Sequence, residues 1–483
     1  MELRAALEAR ARLKGMDRRS FLASLPTAPW AAASSTALHW LSLQEAAERI
    51  RRRRLSPVEL VAASLERIER LQPQLNAFIT LTAEAALEHA RRLEAELGRG
   101  RWRGPLHGIP VALKDVYDTA GVRTTAASAH FAQRVPQKDA AVVARLLEAG
   151  AVLLGKLNMD EFAYSFTSET SHYGPVQNPW KAGYSPGGSS GGSGAAVAAG
   201  LCYAALGSDT GGSIRLPAAL CGIAGFKPTY GALPEDGIVP LAWSLDHPGP
   251  MCRTVGDLRL MLGAMGLKFG PAARPLKSLR VGIPRAIYFE GLESETAAAV
   301  EEAIRVLGRL TAGAREVRLP PLELSPALDS LPALYGTIIT AEAYTFHEER
   351  LARRPELYHP ATRETIKLGA SVSTPAYIRA RREMEALRRA SHGLFAEVDL
   401  LALPSAPGPA FPLGSRPGLV WLRNLAPWNL YGLPAVSIPC GFTRDGLPVG
   451  LQLVGPAGHD ATLLEAAEAY ERATSWHARH PAL

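Results

Sequence analysis

Two glycine–serine clusters hold residue types that could perform nucleophilic chemistry. The first cluster runs from 187 to 193 and the second from 208 to 213, and both lie in the largely apolar stretch 183–230. Glycines inside apolar sequence indicate a backbone that turns sharply or approaches another group closely, whereas a flexible linker would have polar flanks. We therefore predict that the stretch 183–230 is buried and forms an active site.

A single lysine supplies the base that these serines would need. Lys114 ends a short apolar segment, 105–115, which is bounded by glycine and proline and is typical of a strand. A serine hydroxyl is a poor nucleophile until a base accepts its proton. A lysine can be that base if burial leaves its amine neutral, and a second serine can pass the proton because a hydroxyl both donates and accepts. The candidate set is therefore Lys114, Ser189 and Ser213.

The second cluster also predicts an anion-binding turn. Successive backbone N–H groups between Asp209 and Ser213 could curl around a developing oxyanion. Each such donor contributes roughly 3–4 kcal/mol in other hydrolases. Taken alone, a strand-end lysine or a glycine–serine run is more typical of a structural role. The combination of the three features is what indicates catalysis.

Helix and strand patterns alternate around these residues. An S-x-x-E capping box at Ser42–Glu45 predicts the first helix, and Ser56 followed by Pro57 predicts the second. A helix of small residues is predicted over 195–199 and a buried strand over 201–206, between the two clusters. Later segments give helices at 294–310, 332–353, 375–397 and 461–474, and strands at 279–283, 399–404 and 435–439. This alternation predicts an α/β fold with a largely covered sheet in one domain.

Composition favours a globular protein with an ample core. The 483 residues are 47% apolar and 20% charged, with a net charge of +7 and a pI near 9.3. Apart from the arginine run 51–54, basic residues are scattered among acidic ones, so no nucleic-acid partner is expected. The four cysteines lack metal-ligand spacing, and no apolar run is long enough to span a membrane.

Residues 1–40 form an N-terminal extension with two open interpretations. Arg18, Arg19, Phe21 and Leu22 resemble a twin-arginine export signal, but Pro26 and Pro29 interrupt the apolar segment that should follow. An ordinary extension explains the same residues. Localisation therefore stays open between the cytoplasm and export to the periplasm, as does cleavage of residues 1–37.

The motifs together resemble those of the amidase signature family. The resemblance covers about residues 41 to 475 and is weakest from 265 to 400. The segments that carry it are the lysine motif 108–115, the serine- and glycine-rich signature 187–200, the nucleophile segment 207–215, and the shorter matches 155–162, 225–229, 244–246, 432–435 and 446–452.

This resemblance implies a fold and a set of roles. The fold would be α/β, with one large domain over 41–483 and a central mixed sheet covered by helices on both faces. Ser213 would be the nucleophile, Lys114 the base, and Ser189 the bridging serine after a cis Gly188–Ser189 peptide bond. The oxyanion hole would be formed by the backbone amides of Thr210, Gly211, Gly212 and Ser213. Asp209 and Arg215 are expected to hold the turn, as an ion pair.

The implied reaction is amide hydrolysis through an acyl-enzyme. Small apolar or aryl amides are the expected substrates, with esters and carbamates as further candidates. No cofactor or metal is implied, and the expected partners are a small amide and water. The oligomeric state stays open. Candidates for lining the pocket, each equally explained by core packing, are Tyr164, Phe166, Thr167, Trp243 and Trp428.

Two alternatives share these motifs. The glutaminase subunit of a tRNA-dependent amidotransferase has the same signature, but resembles this chain less in the middle. There, an arginine directly before an Ile-x-Leu-Gly segment holds the glutamine carboxylate, whereas Thr365 precedes Ile366 here. The second alternative is an inert binding protein on the same fold, which the presence of all three candidate catalytic residues disfavours.

Overall fold

A single sheet organises the protein. The computed structural model describes residues 38–270, 274–320 and 330–483, and within these ranges eleven strands form one sheet. The strands are β1 Phe78–Leu81, β2 Pro110–Lys114, β3 Val152–Leu157, β4 Ala204–Ser208, β5 Ala224–Lys227, β6 Pro248–Cys252, β7 Val281–Ile283, β8 Ala314–Glu316, β9 Leu400–Pro404, β10 Ala435–Phe442 and β11 Pro448–Val454.

The sheet is mixed, as predicted. Its strand order is β1-β3-β2-β4-β6-β5-β10-β11-β9-β7-β8. Strand β2 runs parallel to β3 and β4, and β7 runs parallel to β8 and β9. The remaining neighbours are antiparallel.

Helices cover both faces of the sheet. They are α1 Leu43–Arg51, α2 Pro57–Leu75, α3 Ala83–Gly98, α4 Ala141–Glu148, α5 Gly191–Ala198, α6 Arg215–Cys221, α7 Val255–Met265, α8 Arg285–Tyr288, α9 Ser294–Leu310, α10 Leu331–Arg353, α11 Pro360–Lys367, α12 Thr374–Ala390, α13 Ala426–Leu430 and α14 Asp460–Ala473. Side chains alternate between the faces along each strand. In β2, Val111 and Leu113 join the larger core with α4, α7 and α9, whereas Ala112 packs on the opposite side with α2, α3 and α5. The predicted α/β fold is thus confirmed.

Local sequence signals set several element ends. The capping box of α1 is present, since Ser42 accepts from the Glu45 N–H and the Glu45 carboxylate accepts from the Ser42 N–H. Two boundaries near the glycine–serine clusters differ from the prediction. The small-residue helix begins at Gly191 rather than 195, and the following strand occupies 204–208 rather than 201–206. Because residues 201–208 are uniformly small or apolar, no periodicity marks where this strand begins.

The predicted export signal, with Arg18 and Arg19, lies outside the described residues. Among the residues that are described, no helix combines the length and hydropathy needed to cross a bilayer.

The sheet order places the two chemistry-bearing segments side by side. Strands β2 and β4 are parallel neighbours, with Leu113 paired to Leu206. Lys114 ends β2 and Ser208 ends β4, so both residues lie at the same edge of the sheet. Helix α5 follows the first cluster and packs against these strands, which brings Ser189 to that edge as well.

The close approach of α5 to its neighbours requires glycine at position 192. A Cβ added there would lie 2.3 Å from the carbonyl oxygen of Asn158 and 2.7 Å from that of Ala77. We expect Gly192→Ala to lower the free energy of unfolding by about 1–3 kcal/mol, the usual cost of overpacking. Urea denaturation measures the change. Gly98→Ala is the matched control, because Gly98 is also helical but has open space around its Cβ position, and alanine favours a helix. Equal effects of the two substitutions would contradict this explanation.

Candidate active site

The Lys114 side chain is fully buried and contacts two serines. Its Nζ lies 2.7 Å from the Oγ of Ser189, 2.8 Å from the Oγ of Ser208 and 3.4 Å from the carbonyl oxygen of Ser208. Burial lowers the pKa of the amine to about 7, even though the carboxylates of Asp160, Asp246 and Asp209 favour its charged form. A large fraction of Lys114 is therefore neutral near neutral pH, as a general base must be.

The donors and acceptors around Lys114 restrict how the protons are arranged. A neutral amine has two N–H donors and one lone pair, and the Ser208 carbonyl oxygen can only accept. If all three contacts are hydrogen bonds, one N–H remains for the two hydroxyls. One serine must then donate its O–H to the lone pair of Nζ. The neutral site thus contains a serine proton already directed at the base.

Backbone contacts join the two glycine–serine clusters. The Ser190 N–H donates to the carbonyl oxygen of Ser213 at 3.2 Å, and the Ser190 hydroxyl donates to that of Ser208 at 3.3 Å. The Ser193 hydroxyl donates to the carbonyl oxygen of Leu206 at 2.9 Å. The Gly188–Ser189 peptide bond is cis, as the resemblance implied. The structure therefore places Lys114 in contact with Ser189, and the backbone of Ser213 in contact with the residue that follows Ser189.

The predicted Asp209–Arg215 ion pair is present and fully buried. Arg215 donates through Nε to Oδ2 of Asp209 at 3.0 Å and through Nη2 to Oδ1 at 2.9 Å. Its remaining donors reach the carbonyl oxygen of Leu425 and the side-chain oxygens of Asn429 and Gln452. Burial alone would raise the pKa of the Asp209 carboxyl, but the charge and hydrogen bonds of Arg215 outweigh burial and hold it well below its usual range. The Asp209 carboxylate therefore stays ionised, and its contacts with Arg215 fix the turn.

The turn 209–213 offers fewer free amides than expected. The Gly212 N–H donates to Oδ1 of Asp209 at 2.8 Å, so this predicted oxyanion donor is already engaged. Within the described part of the chain, the N–H groups of Thr210, Gly211 and Ser213 have no hydrogen-bond acceptor. Gly212 contributes through its backbone shape instead, since its φ of +128° disfavours any side chain.

The nucleophile candidate is largely buried at the end of the turn. Ser213 is 8% exposed, and its hydroxyl forms no hydrogen bond with another described residue. The Oη of Tyr335 packs closely on the turn, since a Cβ added to Gly211 would be 2.2 Å from it.

The structure separates the five aromatic and polar pocket candidates. Trp428 is completely buried, stacks on Tyr288 and donates to the carbonyl oxygen of Asn424, so it is a core residue. Trp243 is 40% exposed. The backbone of Phe166 and Thr167 packs directly against Gly188, and Tyr164 has a buried phenol oxygen without a partner in the described chain.

Sequence reasoning missed two supporting residues. Ser208 contacts Lys114 directly, and Asp246 accepts a hydrogen bond from the Thr210 hydroxyl. Both lie inside segments that carried the family resemblance, 207–215 and 244–246. The signal was therefore available, but their contacts depend on how distant segments pack.

In the described ranges, no group of three or more His, Cys, Asp or Glu side chains is placed to hold a metal ion.

The chain matches the family model Amidase over residues 59–464. It belongs to the amidase signature family. Members of this family use a Ser-Ser-Lys triad, and the chain is an enzyme that acts on amide C–N bonds.

Individual members of the amidase signature family match nearly the whole chain. A glutamyl-tRNA(Gln) amidotransferase subunit of Moorella thermoacetica is 42% identical over 489 residues, which cover 92% of this chain and 99% of the relative. A crystal structure of an amidase superposes with a TM-score of 0.84 at 35% identity, covering 90% of this chain and all of the other. The crystal structure of the corresponding amidotransferase subunit of Thermotoga maritima has a TM-score of 0.75 at 32% identity, covering 92% and 97%.

These relatives correct the expected partners. A small amide and water were expected as the partners, with no nucleic acid. That expectation is wrong, because the amidotransferase relatives are named as subunits of an enzyme for glutamyl-tRNA(Gln). The error has a physical reason. Scattered basic residues argue against a phosphate-binding surface on this chain, but they carry no information about a complex in which other subunits hold the tRNA.

The lowered pKa of Lys114 predicts a pH dependence. Only the neutral amine can accept a proton, so kcat/KM should rise with pH through a midpoint near 7 and level off above it. Initial rates on a neutral amide from pH 5.5 to 9.5 measure the profile. Lys114→Ala should lower kcat/KM by about 10²–10⁴-fold. A midpoint above pH 9 in the unmodified enzyme would contradict a buried, neutral base.

The buried ion pair predicts a large cost for losing its cation. Arg215→Ala leaves the Asp209 carboxylate buried and unpaired, so the free energy of unfolding should fall by about 3–5 kcal/mol. Activity should fall as the turn loosens. Arg444→Ala is the control, because the Arg444 side chain is 95% exposed and its ion pair with Glu295 is at the surface. Full stability and activity of Arg215→Ala would show that the ion pair does not hold the turn.

Proposed function

We propose that the chain hydrolyses carboxamides through an acyl-enzyme on Ser213. The observation that carries this proposal is the buried contact between Lys114 and Ser189, beside a turn with unpaired amides. Ser213 attacks the amide carbonyl while its proton passes through Ser189 to Lys114. The N–H groups of Thr210, Gly211 and Ser213 stabilise the tetrahedral oxyanion.

The same relay then completes the reaction. Protonated Lys114 returns its proton through Ser189 to the leaving nitrogen, which would otherwise depart as an unstable amide anion. A water molecule attacks the acyl-enzyme, gives up its proton by the same route, and releases the carboxylic acid. Lys114 and Ser189 therefore act in both halves of the reaction. Ser213 carries the acyl group from the end of the first half to the second.

The first candidate for the biological role is the amide-hydrolysing subunit of a tRNA-dependent amidotransferase. Identity of 42% over 92% of the chain to such a subunit supports this role. In it, the carboxamide is that of glutamine, and the ammonia released is used to amidate glutamyl-tRNA(Gln). Partner subunits would hold the tRNA.

A second candidate is an amidase that acts on small apolar or aryl amides. One observation favours it: Thr365 occupies the position where an arginine would hold the carboxylate of glutamine. The Thr365 hydroxyl donates to the carbonyl oxygen of Ala361, and the nearby Arg363 is paired with Glu364 at 3.0 Å. The high structural similarity to an amidase agrees with this alternative.

A fluorophosphonate probe tests the mechanism common to both roles. The enzyme should be labelled at Ser213, and Ser213→Ala should lose both the label and amide turnover. Ser193→Ala is the control, because Ser193 is also a buried serine and its hydroxyl bonds a backbone carbonyl. Full amide turnover by Ser213→Ala would overturn the proposed mechanism.

Substrate preference separates the two roles. For the amidotransferase role, we expect ammonia release from glutamine that increases when partner subunits and glutamyl-tRNA(Gln) are added. For the amidase role, we expect the purified chain to turn over aryl amides, with glutamine at background rate. An ester and a carbamate in the same panel measure how far the acyl chemistry extends.

A further inference from the structure

Asp246 is a buried carboxylate next to the proposed oxyanion turn, but it belongs to neither the triad nor the turn. Its Oδ1 accepts from the Thr210 hydroxyl at 2.5 Å. Its Oδ2 accepts from the backbone N–H groups of Leu241 at 2.9 Å and Ala242 at 3.2 Å. The carboxylate therefore joins the loop 241–246 to Thr210, the second residue of the turn.

Burial destabilises the charged form of Asp246, and hydrogen bonds to the carboxylate stabilise it. Burial raises the pKa of this carboxyl to about 6, against the hydrogen bonds from Thr210, Leu241 and Ala242, and the nearby carboxylate of Glu342 adds to the rise. Lys114 and Glu235, from other segments, also lie within range of its charge. At pH 8 Asp246 is ionised, and three donors converge on it. Charge-assisted hydrogen bonds of this kind are stronger and geometrically stricter than neutral ones.

The two ends of the turn are held in different ways. At the far end, the Gly212 N–H donates to the Asp209 carboxylate, which Arg215 fixes. At the near end, the only side-chain hydrogen bond from Thr210 in the described chain is the one to Asp246. The unpaired amides of Thr210 and Gly211 lie between these two anchors. Their direction toward a substrate oxygen therefore depends on both.

We propose that Asp246 is a positioning residue for the reaction, acting through the Thr210 hydroxyl to aim the amides of Thr210 and Gly211 at the oxyanion. This inference rests on the proposed function. Asp246 acts in the transition state, because the oxyanion forms only there. Loss of the contact should lower kcat and leave KM nearly unchanged.

A second anchor of the same loop provides a control. The Ser244 hydroxyl donates to Oε1 of Glu342 at 2.6 Å, and the Ser244 N–H donates to Oε2 at 3.0 Å. This contact fixes the loop to α10 without touching Thr210. Ser244→Ala therefore removes one loop anchor and leaves the Asp246–Thr210 contact in place.

The test compares steady-state kinetics of four single variants at pH 8, on the best amide of the panel. Thr210→Val keeps the side-chain shape and removes the hydroxyl, and Asp246→Asn keeps the shape and removes the charge. Each should lower kcat by about 10–100-fold with KM changed less than about threefold, because misaimed oxyanion donors cost up to this much. Thr210→Ser restores the hydroxyl and should recover most of kcat, and Ser244→Ala should stay within about twofold. Since the two residues act as one unit, the double variant Thr210→Val with Asp246→Asn should be no slower than the slower single variant.

Several results would overturn the inference. Full kcat in Thr210→Val would show that the hydroxyl is not needed, and an equal loss in Ser244→Ala would show that only loop stability matters. If Asp246→Asn fails to fold, the comparison of Thr210→Val with Thr210→Ser still decides. Failure of the proposed function is recognised separately, because Ser213→Ala would then keep amide turnover. Turnover that depends on Ser213 but not on Thr210 contradicts the positioning role alone.

Discussion

The buried ion pair between Asp209 and Arg215 is the interaction on which the rest of the site depends. Two full charges without solvent are costly unless every donor and acceptor is satisfied. Here the guanidinium donates to Asp209 and to three groups from residues 425–452, and Asp209 also accepts from the Gly212 N–H. The pair thus fixes the turn, in which the Gly212 N–H is bonded to Asp209 while the N–H groups of Thr210, Gly211 and Ser213 have no acceptor among the described residues.

In Lys114, by contrast, the effect of burial on the pKa outweighs that of the nearby opposite charges. Its burial is as complete as that of Arg215, but among the described residues no carboxylate contacts it, and its contacts are two hydroxyls and a carbonyl oxygen. Desolvation therefore prevails over the more distant acidic groups, and the amine loses its charge near neutrality. The buried side chains of Arg215 and Lys114 thus have different chemistry. Arg215 contacts the Asp209 carboxylate, whereas Lys114 contacts only neutral groups of the described chain.

Local patterns and contiguous motifs were enough to predict the fold class, and they led to Lys114 and Ser189, which the structure shows in contact. The capping box of α1, the strand ending at Lys114 and the glycine–serine clusters are features of this kind. Three contacts could not be predicted: the hydrogen bond from the Gly212 N–H to Asp209, the contact of Ser208 with Lys114, and the hydrogen bond from Thr210 to Asp246. Each depends on the exact packing of turns and of segments far apart in the chain. The start of β4 was misplaced because a run of small or apolar residues has no periodicity to mark it. The partners were misjudged because surface charge describes one chain rather than an assembly.

The contacts of Arg215 also have a consequence for biosynthesis. Its partners at Leu425, Asn429 and Gln452 are made more than two hundred residues after the nucleophile segment. During translation, the segments that hold the proposed base and both serines leave the ribosome long before these partners exist. The nascent chain therefore cannot complete the turn until it is nearly finished, and a truncated product would carry the serine and lysine without the geometry that makes them reactive.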